Sequence, residues 1–441
     1  MFIIKPFFYL LLILTIILPQ KKSFGNTLSI IRDTQMEEYT LKGVRQLFEA
    51  AGLSTNALQV VFINDESLNA FVAGGSVVYI HAGLILKTST PDEFFGVLAH
   101  ETGHVLGGHT IRLAREIEKA QTTALITTIL GGIAAVASGR GDVGVAVMMG
   151  SMGSIRGIIS TYRQTEENSA DSIAVDLISK TKYSLKGLLN VMKTIEKEER
   201  LRVMDDYPSY LRSHPLTRDR ITFLEEASKK GQEPQKEEEY DLIKAKLFAF
   251  LRKPEETRIV YKGTTNADLY ANAIADFKQT QIEKALDKTN KLIKKQPENA
   301  YFYELKGQIL FESGQIDEAV KNYEKAMMLQ PKASLIRLAL AQALLESEQE
   351  GSVKKAIEHL EYITETDKFS PEAWHFLYMA YARNGQKGLA DYAKIESLLL
   401  LGKNDEAKKL LPKAKEALSK DKIKSLRLSD IEEQLKEKKE N

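Results

Sequence analysis

Two prolines 34 residues apart, Pro297 and Pro331, mark a repeating pattern in the second half of the chain. The clearest copy begins at Ala300 and sets Tyr303, Gly307, Leu310, Ala319, Tyr323 and Ala326 ahead of Pro331. A weaker copy precedes it, with Leu269, Ala273 and Ala285. Two follow, one interrupted near Glu350-Gly351 and one opening at Pro371 with Trp374, Tyr381 and Ala390. A unit of this length holds two short helices. Neither can bury its apolar face alone, so the copies must stack on one another. The stack is an α-solenoid, and its concave face is of the kind that binds protein.

The period and the signature positions resemble the tetratricopeptide repeat, and we assign residues 265–441 to that domain, with the Lys/Glu-rich end from Lys403 as a solvated capping helix. Ahead of it, Lys229 to Asp241 is charged and contains glycine and proline, the texture of a linker. A short amphipathic helix, Leu242 to Leu251, comes next, so residues 229–264 read as linker and connecting helix.

With 441 residues the chain is too long for one ordinary core. A formal net charge of +1 implies no basic field for nucleic acid. The absence of cysteine excludes disulfides, thiolate ligands and a cysteine nucleophile. At the start, Lys5 precedes an apolar run from Phe7 to Leu18, then Pro19 and a polar stretch with small residues at Ser23 and Gly25. Residues 1–25 read as a secretory signal peptide cleaved before Asn26. The alternative is an uncleaved membrane anchor, but the run is shorter than the ~20 residues a spanning helix needs. Export of a cysteine-free chain fits a bacterial periplasm.

Between these regions, residues 26–228 read as a separate, mostly α domain with a small β-sheet. Asn26 to about Leu53 has helical spacing. Residues 59–63 and Val77–Ile80 are β-branched and aromatic runs, hence strands, with a turn at Gly74-Gly75. Pro91-Asp92-Glu93 opens a helix expected to run to about Ala120, and further helices cover 161–180 and 185–200. Residues 121–157 are apolar and uncharged up to Gly139 and hold eight glycines from Gly131 to Gly157. They fit a buried hairpin, a mobile lid, or a segment dipping into a membrane surface.

The chemistry centres on His100-Glu101-Thr102-Gly103-His104. On a helix each residue turns ~100°, so the two histidines lie one above the other and both can reach one metal ion. Glu101 lies beside them, where it can take a proton from a water. Phe95, Val97, Leu98 and Val105 make the helix a buried one, and buried polar groups need partners. The expected cofactor is one Zn2+ per chain. His109 lies off that face, five residues past His104, and reads as solvated or bonded to a partner residue. A third ligand must come from downstream, and Glu167 and Asp171 lie four apart on one helical face. They fit a ligand and a supporting acid, and equally an acidic helix start.

Four segments, in order, resemble the HtpX/CAAX-prenyl-protease family of zinc metallopeptidases, over residues 35 to 225. They are Asn69-Ala70-Phe71 with Gly74-Gly75 and Gly83-Leu84; Ala99 to Val105; Glu167 with Ala170-Asp171; and Ser213-His214-Pro215-Leu216 with Arg218, Asp219 and Arg220-Ile221. With the repeats and the leader, the chain is similar to the periplasmic BepA-type branch, the β-barrel assembly-enhancing proteases. The resemblance implies a zincin-type domain before an α-solenoid of tetratricopeptide repeats, with His100, His104 and Glu167 as zinc ligands, Glu101 as catalytic base and Asp171 as supporting acid. Ala73 stands where the family has proline. The family's arginine lies three residues before the ligand glutamate, whereas Arg163 lies three before Glu166 and four before Glu167, so Glu166 stays an alternative ligand. In this branch the histidine matching His214 can close the open zinc position and keep the enzyme latent.

The expected reaction is hydrolysis of unfolded or misassembled outer-membrane proteins. Substrate is expected to lie along Val77, Val78, Tyr79 and Ile80 by strand addition. The repeats would hold substrate or the barrel-assembly machinery. The rival readings are a non-enzymatic chaperone or adaptor with a silent zinc site, and an inner-membrane protease. His81, His359 and His375 read as structural.

Overall fold

The structure, a computed structural model, describes residues 29–74, 76–109, 163–201, 214–229 and 231–437. The leader and residues 121–157 lie outside the described residues. Two compact units divide after Phe248.

The first unit is mostly helical around a four-stranded sheet. Strand β1 (Ile30–Ile31) pairs antiparallel with β2 (Gln59–Ile63), which pairs parallel with β4 (Val77–His81), and β4 pairs antiparallel with β3 (Ala70–Ala73). The order β1-β2-β4-β3 corrects the expected substrate strand. Val77 to Ile80 is bonded on both sides, so β4 has no free edge to receive another strand. The edge strand beside it is β3.

Helix α1 (Thr34–Ala50) begins later than its sequence pattern suggests, because Asp33 caps it by accepting from the Met36 N–H at 2.8 Å. Helix α2 (Ala82–Lys87) follows β4 directly. Helix α3 (Pro91–Gly107) starts at Thr90, whose hydroxyl caps the Glu93 N–H. It carries Phe94, Phe95, Val97 and Leu98, all at most 1% exposed. Burying each of these side chains contributes about 2–3 kcal/mol. Where a helix to about Ala120 was expected, α3 ends at Gly107, and residues 110–120 lie outside the described residues. Gly108 takes φ +66, the left-handed conformation that terminates helices.

Helix α4 (residues 163–179), α5 (Leu185–Leu201), α6 (Arg218–Ser228) and α7 (Glu238–Leu251) follow. Asp92 holds α3 to this assembly. It is 6% exposed and accepts from Ser184 N at 2.5 Å and Gln235 N at 2.9 Å. The stretch read as a linker is therefore anchored rather than free. Glu237 accepts from the Tyr39 hydroxyl, and Tyr240, 1% exposed, shares a hydrogen bond with Thr88 at 2.5 Å.

In the second unit, α8 (Pro254–Val260) precedes five helix pairs. They are α9 (Asn266–Lys278) with α10 (Ile282–Lys295), α11 (Ala300–Glu312) with α12 (Ile316–Leu329), and α13 (Ser334–Glu346) with α14 (Ser352–Thr366). Helices α15 (Pro371–Arg383) with α16 (Lys387–Leu400), and α17 (Asn404–Ala417) with α18 (Lys422–Glu437), complete the series. Each helix packs chiefly on its sequence neighbours, as a solenoid requires. Leu340, Leu360, Leu377 and Tyr381 lie in one core shared by successive pairs. The charged end expected as one capping helix is a full pair, closed by Leu411, Leu428 and Ile431. Among the described residues no helix is long and apolar enough to cross a membrane.

Candidate metal centre

Helix α3 presents His100 and His104 one turn apart, and their Nε2 atoms lie 3.1 Å from each other. Helix α4 brings Glu167 onto them, its two oxygens 3.3 Å from His100 Nε2 and 3.3 Å from His104 Nε2. The helices approach closely because position 103 is glycine. A Cβ there would stand 2.7 Å from the Ala170 carbonyl oxygen, backbone that cannot yield. This accounts for a glycine inside the zinc-helix pattern and a small residue opposite it.

His214, on the segment before α6, closes the group. Its Nδ1 lies 3.1 Å from Glu167 Oε1 and its Nε2 lies 3.5 Å from Glu101 Oε1. One donor atom from each of His100, His104, Glu167 and His214 falls within 4.8 Å of all the others. All four residues, with Glu101, are largely buried.

These residues fit a zinc ion. Ligand bonds of about 2.0–2.1 Å in a tetrahedron put neighbouring donor atoms about 3.3 Å apart, and the spacings here are 3.1 and 3.3 Å. Two imidazoles and a carboxylate are also a donor set that zinc accepts. Without a cation, three histidines and two carboxylates share a largely buried pocket, an arrangement that burial penalises.

The charges respond accordingly. Burial opposes a proton on His100, but Asp171 and Glu167 outweigh it and raise the imidazole to about 10. Burial keeps His104 below the usual histidine range. Burial alone would raise the Glu167 carboxyl, yet the bonds from His100, His104 and His214 hold it well below the carboxylate range. Asp171 is likewise lowered, burial being outweighed by His100 and Arg220. A cation taken up there competes with the proton that these carboxylates favour on His100.

A supporting layer lies behind the donors. Asp171 Oδ1 is 2.9 Å from His100 Nδ1, the ring nitrogen facing away from Glu167. Arg220, 1% exposed, donates from Nε to Asp171 Oδ2 at 2.6 Å and from Nη2 to Oδ1 at 3.0 Å. Its Nη1 lies 2.8 Å from Glu167 Oε2 and donates to the Pro215 carbonyl at 2.8 Å. One guanidinium thus joins two carboxylates to the loop that carries His214.

The sequence reading gave Arg220 no role, since its reach from α6 depends on tertiary packing. Glu166 and His109 form a second contact, Oε2 to Nε2 at 2.6 Å, and His109 Nδ1 lies 2.9 Å from His104 Nδ1. The readable signal for His109 was the Gly107-Gly108 pair that ends α3. His81 stays apart from this group, its Nδ1 2.8 Å from the Ser67 hydroxyl.

Comparison with known proteins agrees with this geometry. Residues 35–228 match the model of peptidase family M48, and residues 307–347 match a tetratricopeptide repeat. The chain is 25% identical over 426 residues to the β-barrel assembly-enhancing protease of Yersinia pestis, covering 89% of this chain and 86% of that protein. Its namesake in Escherichia coli K12 is 24% identical over 425 residues, 89% of this chain and 85% of that one. The mitochondrial metalloendopeptidase OMA1 of Schizosaccharomyces pombe is 23% identical over 188 residues, 43% of this chain and 52% of that protein. This chain is a metalloendopeptidase; residues 35–228 are similar to peptidase family M48, and with tetratricopeptide repeats after them the chain is similar to the β-barrel assembly-enhancing proteases.

Proposed function

We propose that the chain is a zinc-dependent endopeptidase of the periplasm, acting on unfolded or misassembled outer-membrane proteins. The observation that carries the reading is the meeting of His100, His104 and Glu167 at 3.1 and 3.3 Å with Glu101 beside them. In this reading the domains are 1–25 as leader, 26–228 as peptidase, 229–264 as connection and 265–441 as repeats. The family match over 35–228 supports the peptidase bounds.

His100, His104 and Glu167 hold the zinc, which when bound supplies Lewis acidity toward a peptide carbonyl and toward water. Glu101 takes a proton from the attacking water and returns it to the leaving nitrogen. Asp171 fixes the His100 ring through Nδ1, and Arg220 fixes Asp171.

His214 lies between Glu101 and Glu167, within reach of the position a catalytic water would take. This supports a latent resting state, released when the segment carrying His214 moves aside.

Substrate reaches the site as a strand added to β3. The His81 N–H donates to the Asn69 carbonyl at 3.0 Å, so bonding alternates to Phe71 and Ala73. The N–H and C=O of Ala70 and Val72 then point to the edge, where no further strand pairs among the described residues. Strand addition selects extended, unfolded chains. The two relatives named for β-barrel assembly support such substrates, with the repeats holding them or the assembly machinery.

The test is digestion of an unfolded reporter protein by the chain, with and without a zinc chelator, alongside His214→Ala. Cleavage that the chelator abolishes, and that rises in His214→Ala, is expected. No cleavage by any zinc-loaded form would refute the reading. Recovery in a membrane pellet rather than the soluble periplasmic fraction would refute the location.

A further inference from the structure

We infer that His109 and Glu166 form a relay that fixes the imidazole of His104, making them positioning residues for the metal centre. The inference rests on the reading of His104 as a ligand.

A histidine that binds metal through Nε2 carries its proton on Nδ1, and that buried N–H needs an acceptor. For His100 the acceptor is a carboxylate, Asp171 Oδ1 at 2.9 Å. For His104 the group at Nδ1 is another imidazole, His109 Nδ1 at 2.9 Å. Two Nδ1 atoms facing each other share one hydrogen, so one must donate and the other accept. With His104 as donor, His109 must keep its own proton on Nε2. Glu166 Oε2 lies 2.6 Å from that nitrogen, and its negative charge favours the proton there. The order from the metal side outward is thus His104, His109, Glu166, the first link a hydrogen bond and the second a close charge contact. Both ligand histidines end on a carboxylate of α4, one directly and one through a neighbour.

The local sequence is built for this bend. Gly108 at φ +66 turns the chain back over the last turn of α3. A Cβ on Gly107 would fall on the His109 ring itself, so only glycine leaves the ring its place. His109 is 3% exposed, and the Glu166 side chain is 13% exposed. Neighbouring positions on α4 point ~100° apart, which sends Glu167 to the cluster and Glu166 to His109. The two adjacent glutamates therefore hold different places.

The test uses the full chain, stripped of metal and titrated with zinc against a chelating indicator. His109→Phe keeps the ring volume and removes both nitrogens. It is expected to weaken zinc binding about 10–100-fold and to shift the visible spectrum of the cobalt-substituted chain. Glu166→Gln weakens binding in the same direction. The double variant is no weaker than His109→Phe alone, because the links act in series. The thermal midpoint of the metal-free chain serves as the folding control. If His109→Phe lowers it, His109→Gln decides: binding restored toward wild type by the amide supports the relay, and binding left weak overturns it.

Zinc affinity of His109→Phe within twofold of wild type, or losses that multiply in the double variant, overturn the relay. His104→Ala separates the two levels. Wild-type affinity there would overturn the ligand assignment and the relay with it. Lost affinity there, with none lost in His109→Phe, overturns the relay alone.

Discussion

Replacing Arg220 with methionine should unfold the peptidase domain at lower denaturant without touching a metal ligand. The guanidinium is 1% exposed and faces Asp171, 0% exposed, through two bonds of 2.6 and 3.0 Å. It also lies 2.8 Å from Glu167 and donates to Pro215. Methionine fills similar space but leaves both carboxylates short of a cation. Breaking a buried pair in this way costs about 3–5 kcal/mol. His100, raised to about 10, still offers both acids a charged neighbour in the metal-free chain, so the lower figure applies. At an m-value of about 3 kcal/mol/M, a loss of about 3 kcal/mol moves the urea midpoint by about 1 M. Arg220→Lys keeps the charge and loses the fork, and should fall between the two. Far-ultraviolet dichroism follows the whole chain. Trp374, the one tryptophan, lies in α15 and reports the repeats alone. The dichroism transition should shift early while the Trp374 transition stays in place. Zinc should recover part of the loss, since a bound cation restores a positive neighbour to Glu167. A midpoint within about 0.3 M of wild type for Arg220→Met would refute this reasoning.

Three further outcomes follow from the same geometry. Asp171→Asn removes the carboxylate at His100 Nδ1 and should weaken zinc binding about 10–100-fold by chelator competition. Gly103→Ala drives a methyl to 2.7 Å from the Ala170 carbonyl and should cost about 1–3 kcal/mol, read as a lower thermal midpoint. Val72→Pro removes an outward N–H of β3 while leaving the bonds to β4. It should raise KM for an unfolded substrate and leave zinc affinity within twofold of wild type.

What the sequence disclosed and what it hid divide along physical lines. Spacings within one helix were readable, because 3.6 residues per turn places His100 over His104 and Glu167 in line with Asp171 whatever surrounds them. The repeats were readable for the same reason, since each position recurs in the same local setting. Pairings between distant segments were not readable. Residues 77–80 looked like a receiving strand, yet only the sheet order shows both its edges filled by β2 and β3. Arg220 was legible only as part of the segment around Pro215, and its three contacts to Asp171 and Glu167 arise only once α6 packs on α4. The end of α3 was a local error. Gly107-Gly108 carried the stop signal, since glycine ends helices by taking a positive φ. The charged stretch 229–241 had the composition of a linker, and its backbone is nevertheless held by Asp92 and Ser184.

The central claim is that Glu101 moves the proton while His100, His104 and Glu167 hold the zinc. The most direct test measures cleavage of an unfolded protein by zinc-loaded wild type and Glu101→Gln, with bound zinc counted in each. Equal zinc content, with cleavage lost by about 100-fold or more in Glu101→Gln, is the predicted result. Cleavage by Glu101→Gln at the wild-type rate, with the same zinc content, would contradict the account.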